Sequence, residues 1–184
     1  RPNPLLRTAF RLATAGDLKN AHFTCKTERM DAVGDGPYLI LMNHSSFIDL
    51  EIMATVFRDK PYCIVCTSDG FVGKEGLMRR LGCIPTQKFV TDVSLIADIS
   101  HALKVNRTSV LMYPEASYSF DGTATPLPRR MGSFLKRMKV PVVMITTYGS
   151  FARDPLYNNL QKRDVHVSAE VECLFSADEL RSLS

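Results

Sequence analysis

The stretch that decides the fold runs Tyr38-Leu39-Ile40-Leu41-Met42-Asn43-His44-Ser45-Ser46-Phe47-Ile48-Asp49-Leu50. Its first half is a short unbroken apolar run, as expected of a strand buried on both faces. It then turns polar and enters the helical pattern of residues 47–57. A doubly buried strand followed at once by a helix is the unit from which parallel α/β sheets are built.

The alternation continues on both sides of this stretch. Upstream, residues 1–20 carry a helix-period pattern with Leu5, Leu6, Phe10 and Leu12 on its apolar side and Arg7, Arg11 and Lys19 interspersed. Such a basic amphipathic helix can lie in a membrane interface or cover the core as an ordinary surface helix. Residues 22–27 read as a weak strand, followed by a turn at Gly34-Asp35-Gly36-Pro37. Downstream, strands are expected at 62–66, around Ile84, at 110–113 and at 140–147, and helices at 74–81, 93–105 and 131–138. Residues 164–175 alternate as an edge or antiparallel strand does, and Ser176 with Glu179 reads as a capping box opening a last helix. The expected fold is α/β, a single-layer, mixed but mostly parallel sheet flanked by helices. No repeat, low-complexity tract or linker divides residues 1–184, so one domain is expected.

Composition narrows the function classes. With 184 residues, 45% hydrophobic and 23% charged, the chain has the arithmetic of a globular domain and not of a disordered or collagen-like one. No run approaches the roughly 18–20 apolar residues needed to span a bilayer. Five cysteines make no paired framework, which favours a reducing compartment. The chain starts at Arg1, and we read it as truncated at one or both ends, with room for an upstream anchor. The net charge of +4 is uneven: residues 122–152 hold no acid but contain Arg129, Arg130, Lys136, Arg137 and Lys139. Removing those five from the 23 bases leaves 18 against 19 acids. A local basic patch suits an anionic partner, whereas the plain alternative is a solvated face. A nucleic-acid role would want stacking aromatics among the bases, and only Phe134 is present.

Several signatures fail. Gly34-Asp35-Gly36 precedes a strand instead of following one, with Leu39 where a dinucleotide fingerprint needs its third glycine. Gly70-Phe71-Val72-Gly73-Lys74 is too short for a P-loop, and no Gly-x-Ser-x-Gly elbow exists. Cys63 and Cys66 point to opposite faces of a strand, and no second pair completes a zinc site.

What survives is the exit of the first buried strand. On a continuous helix His44 and Asp49 would be about 500° apart in phase and would not meet. They meet if His44 lies in the loop and Asp49 in the first turn, with Ser46 as N-cap and Asp49 at the third helical position. An aspartate holding one ring nitrogen fixes the tautomer of a histidine whose other nitrogen takes a proton. The plain alternative is a capping aspartate beside an ordinary loop histidine. A second buried strand, 110–113, ends in Pro114-Glu115-Ala116-Ser117-Tyr118-Ser119, and the carboxyl ends of parallel strands converge on the rim where α/β folds bind ligands.

Four segments in this order resemble the glycerolipid acyltransferase family of the PlsC (lysophosphatidate acyltransferase) type. Asn43, His44 and Asp49 match its Asn-His-x4-Asp block. Gly82, Ile84 and Pro85 match Gly-x-Ile-Pro-x-x-Arg, with Lys88 in the arginine position. Tyr113-Pro114-Glu115-Ala116-Ser117-Tyr118-Ser119 stands where the family has Phe-Pro-Glu-Gly-Thr-Arg-Ser, and Val140-Pro141-Val142 supplies the fourth block.

The resemblance implies acyl transfer from an acyl-coenzyme A or acyl-carrier-protein thioester to a hydroxyl of a lysophospholipid or related glycerolipid such as 1-acyl-glycerol-3-phosphate, in phospholipid biosynthesis. His44 would be the general base and Asp49 its orienter. Asn43, Gly82, Lys88, Glu115, Ser117, Tyr118, Arg129 and Arg130 would bind substrate. No metal or other cofactor is required, and the expected place is the cytoplasmic side of a membrane, peripheral or anchored by a segment outside this chain. Lys88 keeps a charge but not the fork of an arginine, and Tyr118 keeps only a hydroxyl. The acceptor then either lacks a phosphate monoester or finds its charge in Lys88 with Arg129 or Arg130. Ala116 in place of glycine is expected to hold that loop to ordinary backbone angles. A non-catalytic lipid- or acyl-thioester-binding module and a thioester hydrolase are the alternative readings.

Overall fold

The computed structural model describes residues 2–87, 93–155, 159 and 161–183. Seven strands form one sheet, in the order β1 (Thr24–Glu28), β7 (Ser168–Phe175), β6 (Val142–Tyr148), β2 (Leu39–Met42), β5 (Ser109–Met112), β3 (Tyr62–Thr67) and β4 (Cys83–Thr86). All neighbours are parallel except β6 and β7. The mixed, mostly parallel single sheet flanked by helices is the architecture that the alternating pattern predicts.

β2 runs through the middle of the sheet and all four of its residues are buried. Its side chains alternate between two apolar layers. Ile40 and Met42 pack with Leu18 of α1 (Pro4–Asn20) and with Ile48, Ile52 and Met53 of α2 (Ile48–Val56). Leu39 and Leu41 pack on the other face with Ile99 and Leu103 of α4 (Val93–Lys104), Leu135 and Met138 of α5 (Met131–Met138) and Leu180 of α7 (Ala177–Ser182). Each such side chain taken from water contributes roughly 1.5–3 kcal/mol, which fixes the height and register of the loop that leaves β2.

Four places in the fold bear on the sequence reading. β7 is antiparallel to β6, one of the two placements expected of it, and β1 lies parallel outside it as the edge strand. A short helix, α6 (Ser150–Arg153), follows Gly149, and the pattern gave no sign of it. Gly149 is obligatory there: its φ is 78°, and a Cβ would sit 2.2 Å from the His166 carbonyl oxygen.

The third is the orientation of α1. Leu5 and Leu12, on the stripe expected either to meet a membrane interface or to cover the core, are 78% and 63% exposed, while Arg7 and Arg11 are partly buried. The cause is specific: the Arg7 guanidinium lies 3.6 Å over the Tyr62 ring and its Nη1 donates to the Lys60 carbonyl. The cationic stripe thus docks and an apolar stripe faces outward.

The fourth is Ala116, whose φ of 58° is left-handed and not ordinary. Its N–H closes a turn onto the Tyr113 carbonyl at 3.0 Å, and the chain takes the left-handed angle as it leaves that turn.

The capping box of α7 is formed, with Ser176 Oγ accepting from the Glu179 N–H and Glu179 Oε2 from the Ser176 N–H. All five cysteines are free. Cys63 belongs to the α4-side layer, whereas the Cys66 thiol donates to the Ile64 carbonyl at 3.6 Å, and the neighbouring Cys83 together with burial holds its pKa up. No helix among the described residues is long and apolar enough to cross a membrane.

Candidate active site

His44 leaves the carboxyl end of β2 in the loop to α2, and Asp49 sits in the first turn of that helix. Asp49 Oδ2 accepts three hydrogen bonds, from the backbone N–H of Ser45 at 2.8 Å, from that of Ser46 at 3.0 Å, and from His44 Nδ1 at 3.1 Å. A carboxylate oxygen that already takes two backbone donors is an acceptor toward the imidazole. The His44 proton is thereby placed on Nδ1 and the lone pair on Nε2. Asp49 is fully buried and the His44 side chain is 12% exposed, so the pair opens to solvent only at the ring.

The helix starts one residue later than expected. Phe47 stands at the N-cap position with helical angles, and Asp49 is the second helical residue. Ser46 lies just ahead, its Oγ accepting from the Ile48 N–H at 3.4 Å and its carbonyl from the Asp49 N–H at 3.3 Å. The tight first turn, and not a serine cap, brings the carboxylate back over the loop.

Two tyrosines enclose the imidazole. Tyr113 stacks on one side with ring centroids 3.7 Å apart at 16°, and Tyr118 stacks at 3.7 Å and 29°. Phe47, 45% exposed, leans against Tyr118 with centroids 5.6 Å apart. Burial pushes the Tyr118 phenol up to about 12, helped by the Asp49 charge, and pushes Tyr113 up as well. Both rings are neutral phenols at ordinary pH, so neither competes with His44 as a base. The sequence pattern gives Tyr113 no role of its own. Its place, directly after a buried strand and before Pro114, was the available signal.

The loop after β5 is tied to the His44 loop: the Ser119 N–H donates to the His44 carbonyl at 2.8 Å. Ser119 Oγ accepts from the Gly122 N–H, and Glu115 Oε2 accepts from the N–H and hydroxyl of Thr125. Glu115 therefore organises its own loop. Ser117 is exposed on the same loop, and Arg129 and Arg130 are exposed on the segment leading to α5. Asn43 spends its amide on Thr147, donating to its carbonyl at 3.1 Å and accepting from its N–H at 2.8 Å, which pins the end of β2 to β6. That tie was not anticipated either.

Gly82 is not at this rim. Cys83 is in register with Ile64, which pairs with Leu111 and through it with Ile40. Gly82 lies on the amino side of that row and His44 on the carboxyl side. Gly82 caps α3 (Glu75–Leu81) with φ 86°, and a Cβ would meet Pro2 at 2.8 Å and the Tyr62 carbonyl at 3.3 Å. Its glycine serves the chain's packing and not a ligand beside His44. Lys88 falls outside the described residues. Among the described residues no lysine or arginine is hydrogen-bonded or ion-paired to His44, Asp49, Glu115 or Tyr118. No group of three or more histidine, cysteine or acidic side chains among them is arranged to hold a metal.

The sequence profile of the family described as Acyltransferase matches residues 22–148, which take in β1 to β6 and the whole His44 rim. The chain is 26% identical over 129 residues to human (Homo sapiens) 1-acyl-sn-glycerol-3-phosphate acyltransferase beta, an alignment that takes in 68% of this chain and 45% of that protein. The chain thus spans about half the length of that relative. Its fold matches the crystal structure of the 1-acyl-sn-glycerophosphate (LPA) acyltransferase PlsC from Thermotoga maritima with a TM-score of 0.69 at 15% identity, covering 95% of this chain and 73% of that one.

Proposed function

The chain belongs to the acyltransferase family, and from that premise we propose that it moves a fatty acyl group from a thioester to a hydroxyl of a glycerolipid, with His44 as the base. The observation that carries this reading is the 3.1 Å bond from His44 Nδ1 to a buried aspartate, which leaves Nε2 basic at the carboxyl rim of the sheet.

In the proposed reaction His44 Nε2 takes the proton of the acceptor hydroxyl, a role typically worth 10²–10⁴-fold in rate. The oxygen attacks the thioester carbonyl, the tetrahedral intermediate expels the thiolate, and the imidazolium returns the proton to sulfur. Asp49 holds the ring and stabilises its charge. Neither a metal nor a covalent acyl-enzyme enters this scheme. The donor is acyl-coenzyme A or an acyl-carrier protein, and the acceptor is a lysophospholipid or related glycerolipid. Leu5 and Leu12, facing outward from α1, support a peripheral place on the membrane surface, on its cytoplasmic side where such donors are found.

A second acceptor class is favoured by Tyr118. The aromatic ring over His44, with no cation bonded around it among the described residues, suits an acceptor whose hydroxyl is not flanked by a phosphate monoester. Thiol release from both donors, followed across lysophosphatidate, glycerol 3-phosphate and neutral monoacylglycerol, tests the proposal. Turnover that disappears in His44→Ala is expected. Tight thioester binding with no turnover would replace it with the non-catalytic reading, and acceptor-independent release of free fatty acid with hydrolysis.

A further inference from the structure

At the rim opposite His44, a groove of about 420 Å³ opens between α1, the loop from α2 to β3 and the loop from α4 to β5. Five cations line it: Arg7 and Arg11 from α1, Arg58 and Lys60 ahead of β3, and Arg107 ahead of β5. Asp59 is the one acid among the described lining residues, and Arg58 Nε already holds it at 3.0 Å.

Three of these cations are held by contacts of their own. Arg7 lies flat on Tyr62 and gives one nitrogen to the Lys60 carbonyl at 3.2 Å. Arg107 gives Nη2 to the Gly36 carbonyl at 3.3 Å, and the Lys60 ammonium rests 5.1 Å from the centre of the Tyr38 ring. A guanidinium anchored through one nitrogen has lost its rotational freedom but keeps its other N–H donors. Arg7 has no carboxylate partner among the described residues, and burial pulls its pKa below the usual arginine range. A partly buried cation without a counter-charge is costly to the fold, and an anion in the groove would offset that cost.

We propose that this groove is a second binding site, separate from the His44 rim, for the phosphate group of an anionic ligand. A phosphate suits it better than a carboxylate. It brings up to two charges and several acceptor oxygens to a concave set of cations that come from three segments of chain. Two sources share this chemistry, the head group of an anionic phospholipid and the phosphates of a soluble molecule. Leu5, one turn from the groove on the outward side of α1, would lie near the lipid in the first case.

The test uses the chain as described here, titrated with inorganic pyrophosphate by calorimetry and cosedimented with vesicles of phosphatidylglycerol mixed with phosphatidylcholine, against phosphatidylcholine alone. Binding is expected in at least one arm, weakened about ten- to a hundred-fold in Arg11→Gln/Arg107→Gln. It is expected to persist in Lys136→Gln/Lys139→Gln, which removes the same charge from the exposed α5 segment. Binding to phosphatidylglycerol vesicles alone assigns a head group, and pyrophosphate binding assigns a soluble ligand. Arg7→Lys, which keeps the charge without the fork, is the second variant, with its melting curve recorded alongside. No binding in either arm, or equal weakening by both double substitutions, overturns the proposal.

Discussion

Tyr118 lies over the His44 imidazole with the two ring centroids 3.7 Å apart. The ring occupies the position in which the family motif carries an arginine, so a neutral aromatic face stands beside His44 where that motif would set a cation. Tyr118→Arg is expected to shift preference toward phosphate-bearing acceptors. One charge-assisted hydrogen bond is worth roughly 1.5–3 kcal/mol, or about ten- to a hundred-fold in relative kcat/KM. Competition between lysophosphatidate and monoacylglycerol measures it, and an unchanged ratio would show that Tyr118 does not face the acceptor.

Asp49→Asn keeps an oxygen for the Ser45 and Ser46 N–H groups but loses the charge that steadies the imidazolium. We expect kcat to fall about 10²–10⁴-fold with KM nearly unchanged. Steady-state kinetics at saturating donor give the split. A change confined to KM would assign Asp49 to binding.

Glu51, two residues along α2, has its carboxyl pushed up to about 7, first by burial and then by the neighbouring Asp17 carboxylate. The native state therefore holds this proton more tightly than the unfolded chain, whose glutamate titrates near 4.5. Its contribution is fully present below that lower value and is lost as pH rises through about 7. Glu51→Gln is expected to stabilise the protein at mildly alkaline pH by about 1 kcal/mol, a figure discounted for partial exposure, and to change little at acid pH. Urea denaturation at both ends of the range reads it. Asp17 slopes the other way at lower pH, because hydrogen bonds from Lys162 and Arg153 outweigh its own burial and hold its carboxyl down.

Ala116 occupies a left-handed angle that costs a side-chain-bearing residue roughly 1–2 kcal/mol, whereas glycine costs about 0.5–1 kcal/mol in added unfolded-state entropy. Ala116→Gly is expected to gain about 0.5–1 kcal/mol, a Tm rise of roughly 2–4 °C. A thermal melt decides it, and a lower Tm would mean that the alanine methyl packs favourably in the turn.

The parts of the molecule readable in the sequence are those set by local pattern. Residues 38–42 announced a central strand because nothing polar interrupts them, and Met131–Met138 and the Ser176–Glu179 cap were plain from spacing alone. The meeting of His44 and Asp49 was legible because residues five apart do not face each other on a continuous helix, so contact requires the loop-to-helix junction to fall between them. The outward face of α1 was not legible. Period locates a stripe, but which stripe docks depends on Tyr62, far away in sequence. The left-handed Ala116 runs against its residue type, and the stacking of two tyrosines on His44 depends on where separate loops fold back. Gly82 matches the motif in sequence order, yet the parallel register sets it just ahead of β4, at the other end of the sheet from His44.

The pairing of β1 with β7 has a consequence for how the protein is made. Thr24–Glu28 is made before every other strand of the sheet, yet its partner begins at Ser168, after all of them. Until β7 is made, β1 is an open edge with its N–H and C=O groups unclaimed, the condition in which nascent chains aggregate or recruit chaperones. Completion of the sheet thus waits for the synthesis of β7. A message cut short before β7 would yield a chain that carries His44 and Asp49 but leaves both β1 and β6 without their neighbour.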